Sequence, residues 1–392
     1  MARQTKQERL SAVHQDALTE FSEIQKALRD ERMQCLSDRR FYSISGAQWE
    51  GSLGAQFENK PKLEVNKIHL SVIRIINEYR NNRITVGFVS QDGIKDDPLS
   101  ETCNGLYRAG EQASVAEEAY DNAFEEAVGG GFGAWRLRPE YVDEEDPDDD
   151  KQKICFEPIF DADSSVFFDL QSKRQDKSDA RKCFVLTSMT KSAYGDEWGD
   201  DPATWPKEIS QAEFDWFKND VVYVAEYYVV EFRREEVHDW EMLDGKKRRF
   251  TKEGLEEVRE ELEAVGGKEV RTKKLVKKKV HKYIMSGGKI LEDCGYIAGS
   301  AIPIIPVYGK RWVVDNVERC MGHVRLSRDI QLLKNMQISK LGEASALSAV
   351  EKPIVTPEQI SGHQEMWASD NVKNYPYLLI NPITDASGNE TA

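Results

Sequence analysis

Residues 316–349, NVERCMGHVRLSRDIQLLKNMQISKLGEASALSA, run without a proline and read as one long helix. Met321, Val324, Leu326, Ile330, Leu332, Leu333, Met336, Ile338 and Leu341 point in most directions around it. A surface helix carries one apolar stripe, so a helix that is apolar nearly all round has to be covered on several sides. Two arrangements satisfy that requirement: a core helix, or a helix packed against copies of itself in an oligomer.

The elements before it are of mixed type. Residues 5–40 have few helix breakers and read as a charged N-terminal helix. A second helix is expected over about 62–80, where Val65, Ile68, Val72, Ile75, Ile76 and Tyr79 recur at helical spacing. RITVGFVS (83–90) alternates like a strand, and a further helix runs from about 99 to 128. Beyond it lie strand candidates: AWRLRPEYV with KICFEPI, the alternating VVYVAEYYVVEF, and RTKKLVKKKVHKYIM with GKILED across Gly287 and Gly288. Helix-like TKEGLEEVREELEAV lies between them, and SAIPIIPVYG closes the region. Pro353, Pro357, Pro376 and Pro382 exclude a regular helix across the last turns, where YPYLLI reads as a short strand.

The glycine-rich stretch GGGFGAW (129–135) follows a helix and precedes a strand. Phosphate loops need the opposite order, with a helix N-terminus facing the anion. Here the glycines meet a helix C-terminus, which makes the stretch a hinge packed by Phe132 and Trp135. The acidic run Asp143–Asp150 lacks the glycine and distal glutamate of an EF-hand loop and reads as a solvated loop. Six cysteines (35, 103, 155, 183, 294, 320) form no CxxC pair and six histidines form no HExxH, which speaks against a disulfide framework, a zinc site or any metal or cofactor and fits a reducing cytoplasm. No run is long and apolar enough to span a membrane, and the N-terminus has no signal core.

Two motifs offer rival functions. Lys273, Lys274, Lys277, Lys278, Lys279 and Lys282 form a basic run on a predicted strand, the basis for a nucleic-acid-binding module, with a solvated edge strand beside an acidic helix as the alternative. Ser188 and Lys191 match SxxK and Ser369-Asp370-Asn371 matches SDN, the order found in serine β-lactamases, but no KTG element accompanies them. No catalytic constellation stands out, so the chain is expected not to be an enzyme. The net charge of −15 opposes tight wrapping of nucleic acid.

Four segments in order, GFGAWRL (131–137), DKSDAR (176–181), IPIIPVYG (302–309) and VRLSRDIQLLKN (324–335), resemble the portal proteins of tailed bacteriophages, the head-to-tail connectors, and most closely the large portals of short-tailed phages of the Salmonella-phage type. The resemblance implies an α+β fold: a portal-like body (hip and wing) with a long stem helix and a small clip-like β region. The segments would be 1–40 N-terminal helix, 41–315 body, 316–349 stem helix and 350–392 clip. Members of the family run several hundred residues longer, so the chain is expected to stop before a second stem helix and crown, which puts assembly by this chain alone in question. The resemblance further implies a homo-oligomeric ring, usually dodecameric, at one capsid vertex of the virion, assembled in the host cytoplasm. Its partners would be the terminase large subunit, head-completion and tail adaptor proteins, capsid and scaffolding proteins, and double-stranded DNA in the channel, with no membrane. Arg325, Arg328, Lys334 and Lys340 would face the DNA channel or a subunit interface. Lys352, Glu358, Gln359 and Trp367 would serve terminase or adaptor docking.

Overall fold

The computed structural model describes residues 6–58, 60–90, 98–142, 151–202, 205, 214–241, 247–251, 254–255, 258–259, 262, 268–315, 317–346, 354–373, 375–384 and 390–391. The acidic run 143–150, Lys352 and most of the helix-like segment after Thr251 lie outside them. The fold is α+β. The chain divides into two units, the first made of residues 1–39 and 74–323, the second of residues 40–73 and 324–392.

Helix α1 (Lys6–Ser43) opens the first unit. Ala17, Phe21, Ile24 and Leu28 are spaced three and four apart, so they line one face. That face packs on Phe167, Phe184, Tyr227, Tyr283 and Met285. Phe21 meets Phe184 and Phe167 edge-on, with centroids 5.3 and 5.4 Å away, a favoured aromatic geometry.

In chain order the remaining helices are α2 (Ser52–Gln56), α3 (Lys67–Asn81), α4 (Pro98–Ala113), α5 (Ala116–Gly129), α6 (Ala162–Ser165), α7 (Lys191–Trp198), α8 (His323–Ala346) and α9 (Gln364–Lys373). The strands are β1 (Phe132–Tyr141), β2 (Gln152–Ile159), β3 (Val166–Phe168), β4 (Lys182–Thr190), β5 (Phe217–Lys218), β6 (Val221–Glu241), β7 (Lys247–Thr251), β8 (Lys268–Ser286), β9 (Ile290–Ile297), β10 (Ile304–Tyr308), β11 (Lys310–Val314), β12 (Val317–Met321), β13 (Ile383–Thr384) and β14 (Glu390–Thr391). The main sheet runs β3-β4-β6-β8-β9, with β5 and β7 also on β6. Its axis is the pairing of β6 with β8 from Val224–Ser286 to Glu241–Lys268, with one register shift between Asp239 and Trp240. A smaller sheet runs β10-β1-β2, with Ala134 opposite Ile159 on one side and Pro306 on the other. The pairing expected across the acidic loop and the one across Gly287 and Gly288 both form.

The glycine hinge is the joint between α5 and β1. Gly131 has φ +114°, a conformation that side chains disfavour, and an added Cβ there would lie 2.6 Å from the Met321 backbone. A Cβ on Gly133 would lie 2.0 Å from the Ala123 carbonyl oxygen. The close approach of α5 and β12 to this turn therefore requires glycine. Just beyond the hinge, three of the four family-like segments converge: Phe132 meets Tyr308 with ring centroids 5.3 Å apart, and Glu318 accepts from both the Tyr308 hydroxyl (2.7 Å) and the buried Lys177 ammonium (2.6 Å).

Several local expectations are corrected. Residues 83–90 are not a strand: Asn104 on α4 bonds both the N–H (2.7 Å) and the carbonyl (3.2 Å) of Phe88, taking the place a neighbouring strand would fill. The helix expected over 99–128 breaks into α4 and α5 at Val115, whose φ is +50°. The helix expected from 62 begins only at Lys67. The helix expected from 316 begins at His323, because Val317–Met321 pair with Lys310–Val314 as a hairpin. Tyr375–Ile380 has no strand; the short pair there is Ile383–Thr384 with Glu390–Thr391.

His14 ties α1 to the end of β8. It is buried, and its Nε2 donates to the Ser286 carbonyl at 2.9 Å. Burial lowers its pKa, and the Ser286 bond only partly opposes that. The folded chain thus binds fewer protons at this site than the unfolded chain, so its contribution is complete above the ordinary histidine pKa and is lost as pH falls toward the folded value. We expect the thermal midpoint to drop between about pH 7 and about pH 5, with part of that slope removed in His14→Gln. Identical slopes in the two proteins would show that His14 is not responsible.

Candidate subunit interface

The second unit is organised by α8, and its polarity is reversed from what its composition suggests. Its buried positions include Gln331, Asn335 and Ser339, at 3%, 1% and 1% exposure, alongside Val324. These polar residues are four apart and so stack on one face. Opposite them runs residues 63–67, extended and antiparallel to the helix. The Leu63 N–H donates to Ser339 Oγ (3.0 Å), Val65 N–H to Asn335 Oδ1 (3.2 Å) and Lys67 N–H to Gln331 Oε1 (3.2 Å). Gln331 Nε2 donates back to the Val65 carbonyl (2.7 Å) and to Asn335 Oδ1 (2.9 Å). Asn335 Nδ2 donates to Gln48 Oε1 (2.6 Å), and Gln48 Nε2 reaches the Phe41 carbonyl (3.3 Å).

The geometry follows from two repeat lengths. Every fourth helical residue advances about 6.0 Å, and every second residue of an extended chain advances about 6.7 Å. Over three rungs the mismatch stays small, so one helix face supplies acceptors for alternate N–H groups of the extended segment. The segment cannot be helical while making these bonds, which is why α3 starts only at Lys67.

The other side of α8 carries apolar side chains that are exposed among the described residues. Leu326, Ile330, Leu333 and Leu341 are 69%, 72%, 52% and 71% exposed. Their spacing places them along one stripe, with Gln337 between Leu333 and Leu341. Full burial of such a side chain is worth about 1.5–3 kcal/mol. A contiguous stripe of this kind marks an interaction surface.

The four cations expected here separate. Arg328 lies over the ring of buried Phe41, 4.8 Å from its centroid, and Arg325 is half-buried on that side of the helix. Lys334 and Lys340 flank the apolar stripe, Lys334 half-buried and Lys340 exposed. Of the residues expected to dock a motor, Glu358 and Gln359 lie in the turn before α9 and Trp367 on α9 itself. Gln359 Oε1 accepts from the Thr356 N–H (2.9 Å), and Asn381 donates to the Gln359 carbonyl (2.8 Å). Trp367 Nε1 donates to the Leu379 carbonyl (2.8 Å).

The rival motifs have local explanations. Lys282 donates to Glu226 (2.8 Å), Lys274 pairs with Glu236 (3.1 Å) and Lys273 with Asp239 (3.6 Å), while Lys278 lies over Phe232. These carboxylates come from β6, the strand beside them; most of the acidic segment upstream lies outside the described residues. The SxxK match spans the end of β4 and the start of α7, where Thr190 caps the helix by accepting from the Ala193 N–H (3.3 Å). Lys191 pairs with Asp201 at 3.0 Å. Ser369 donates to the Glu365 carbonyl one turn back in α9.

Comparison with known proteins gives the family of the chain. Residues 18–391 match the family described as Phage P22-like portal protein. The portal protein of Acyrthosiphon pisum secondary endosymbiont phage 1 is 37% identical over 390 residues, which cover 97% of this chain and 54% of that protein. The class is thus that of viral portal proteins, and the chain belongs to the Phage P22-like portal protein family. It spans about half the length of the relative it matches.

Sequence reasoning identified the helix and its unusual apolarity but missed Gln331, Asn335, Ser339 and Gln48. The available signal was the QxxxNxxxS spacing. Asn335→Ala removes the acceptor of the Val65 N–H and a partner of both Gln331 and Gln48. Leaving such groups buried and unpaired costs about 3 kcal/mol, so amide exchange at Val65 and Lys67 is expected to accelerate roughly 100-fold, measured by hydrogen–deuterium exchange. Lys340→Ala, on the exposed side, is the control and is expected to leave both amides protected.

Proposed function

We propose that the chain is a subunit of a portal ring at the unique capsid vertex, through which viral DNA is packaged and ejected. Family membership supports the class. The observation that carries the assembly reading is the division of α8 into a polar face satisfied within its own unit and an apolar face left open. A helix of that construction is completed by another chain, and a ring supplies that chain at every position. In this proposal α8 is the stem helix, the first unit is the hip and wing body, and the segment holding Glu358, Gln359 and Trp367 belongs to a clip-like region. That segment offers a docking surface to the terminase large subunit and later to head-completion and tail adaptor proteins. The same ring would meet capsid and scaffolding proteins at the vertex.

Lys334 and Lys340 border the stripe and are placed to meet carboxylates of a neighbouring subunit or the DNA in the channel. Arg328 is committed to Phe41, and its role would be to hold α8 in place. The chain's part is structural, with no hydrolysis of its own. Among the described residues no helix is long and apolar enough to cross a membrane, in keeping with a place in the virion.

Native mass by light scattering, with negative-stain imaging, tests the proposal. Rings with a central hole are expected. The triple variant Leu326→Ser, Ile330→Ser, Leu333→Ser should leave the circular dichroism spectrum unchanged, since exposed substitutions usually shift stability by no more than about 0.5 kcal/mol each, and should convert rings to monomers. Rings formed equally well by the triple variant would sink the assignment of the stripe as the subunit interface.

A further inference from the structure

In the first unit, two thiols and a carboxylate meet in the core, away from every surface discussed above. Glu31 and Cys35 are four apart on α1, so both point the same way. Cys320 comes from β12, and its sulfur lies 3.8 Å from that of Cys35. The ligand-bearing atoms of Glu31, Cys35 and Cys320 all lie within 4.8 Å of one another, and all three residues are buried. Glu31 is oriented by the Cys320 N–H (3.2 Å) and by Arg319 (3.5 Å).

We infer that Glu31, Cys35 and Cys320 form a binding site for a zinc-type divalent ion. Two sulfurs each about 2.3 Å from a tetrahedral zinc stand about 3.8 Å apart, which is the separation found here. The donor set, two thiolates and one carboxylate, suits a borderline-soft metal rather than calcium or magnesium. Among the described residues no fourth histidine, cysteine, aspartate or glutamate belongs to the cluster, so the fourth corner falls to water or a backbone oxygen.

The charge balance is favourable. Binding displaces one proton from each thiol, so a dipositive ion with two thiolates and one carboxylate carries a net single negative charge. Arg32 sits one residue along α1, with its guanidinium 3.8 Å from the Phe132 ring centroid. Its Nη2 donates to the Val166 carbonyl (3.1 Å), while its buried Nη1 has no hydrogen-bond partner. An unsatisfied buried guanidinium nitrogen beside the thiols is suited to offset that negative charge. The site would tie α1 to the β11–β12 hairpin, directly behind the glycine hinge, so the ion would be structural.

The whole chain, purified with reductant and without chelator, is equilibrated with Zn2+ and its metal content measured by inductively coupled plasma mass spectrometry. Co2+ is then substituted and its visible and near-ultraviolet spectrum recorded. About one ion per chain is expected, with thiolate-to-cobalt charge transfer and the strong d–d bands of a tetrahedral site. Cys35→Ala and Cys320→Ala should abolish the charge-transfer band, and Glu31→Gln should weaken binding by at least about tenfold. Cys294→Ala, at an exposed cysteine outside the cluster, should change nothing. The cobalt spectrum of the unmutated chain decides the matter even where a variant fails to fold. Absence of the charge-transfer band overturns the site, as does a Cys35–Cys320 disulfide found by peptide mapping of protein alkylated at lysis.

Discussion

The near-equality of two pitches, four residues of helix and two residues of extended chain, sets the organisation of the second unit. It lets Gln331, Asn335 and Ser339 take up the N–H groups of Lys67, Val65 and Leu63 in order. Everything around α8 depends on this ladder. It fixes which face of the helix turns inward, keeps residues 63–66 out of the helix that follows, and recruits Gln48 and the end of α1 through Asn335. Because the inward face is largely polar and satisfied, Leu326, Ile330, Leu333 and Leu341 are left on the outside. A satisfied buried polar network fixes a unique register more sharply than an apolar contact does, since slipping by one turn would leave several groups unpaired. The outward stripe is therefore held in a defined direction by hydrogen bonds on the opposite side of the same helix.

Much of the architecture was legible in the sequence because it rests on periodicity. Alternation in VVYVAEYYVVEF marked β6, and the two hairpins that end at Ile159 and Ile297 were visible as paired runs with turn residues between them. GGGFGAW was readable as a helix-to-strand joint because glycines at a helix C-terminus have one main use. The failures share a cause: each came where a side chain or a short pairing outweighed local pattern. RITVGFVS alternates like a strand, but Asn104 holds its backbone. NVERCM carries helix-compatible residues, but it completes a hairpin with Lys310–Val314. Val115 breaks a continuous helical pattern through a backbone conformation that composition does not announce.

The interface was half legible for a similar reason. Leu326, Ile330, Leu333 and Leu341 were counted among nine apolar positions pointing in most directions, whereas these four share one exposed stripe and the buried face opposite is largely polar. Gln331, Asn335 and Ser339 were not singled out, because polar residues of a helix usually face solvent. Only the position of residues 63–67, distant in sequence, makes them the inner face. The same limit applied to Cys35 and Cys320: cysteines 285 positions apart carry no spacing signal, and only the fold brings their sulfurs together.

The distribution of charge bears on how such a subunit would treat DNA. The lysine run on β8 looked like a nucleic-acid contact, yet Glu226, Glu236 and Asp239 on the neighbouring strand pair with it. Burial alone would push Glu226 up, but Arg136 and Lys282 beside it hold its carboxyl below the usual range. Cations engaged in this way cannot displace counterions from phosphate without first breaking pairs inside the sheet, and affinity for DNA scales with the number of phosphates neutralised. What remains over the chain is an excess of carboxylates, with a net charge of −15. On the proposed function that balance is an advantage. A wall that bound DNA through many phosphates would hold it, whereas a wall whose basic groups are tied to its own acids repels the strand and lets it pass. The ion pairs that stabilise the sheet and the weak hold on DNA would then be two consequences of one arrangement.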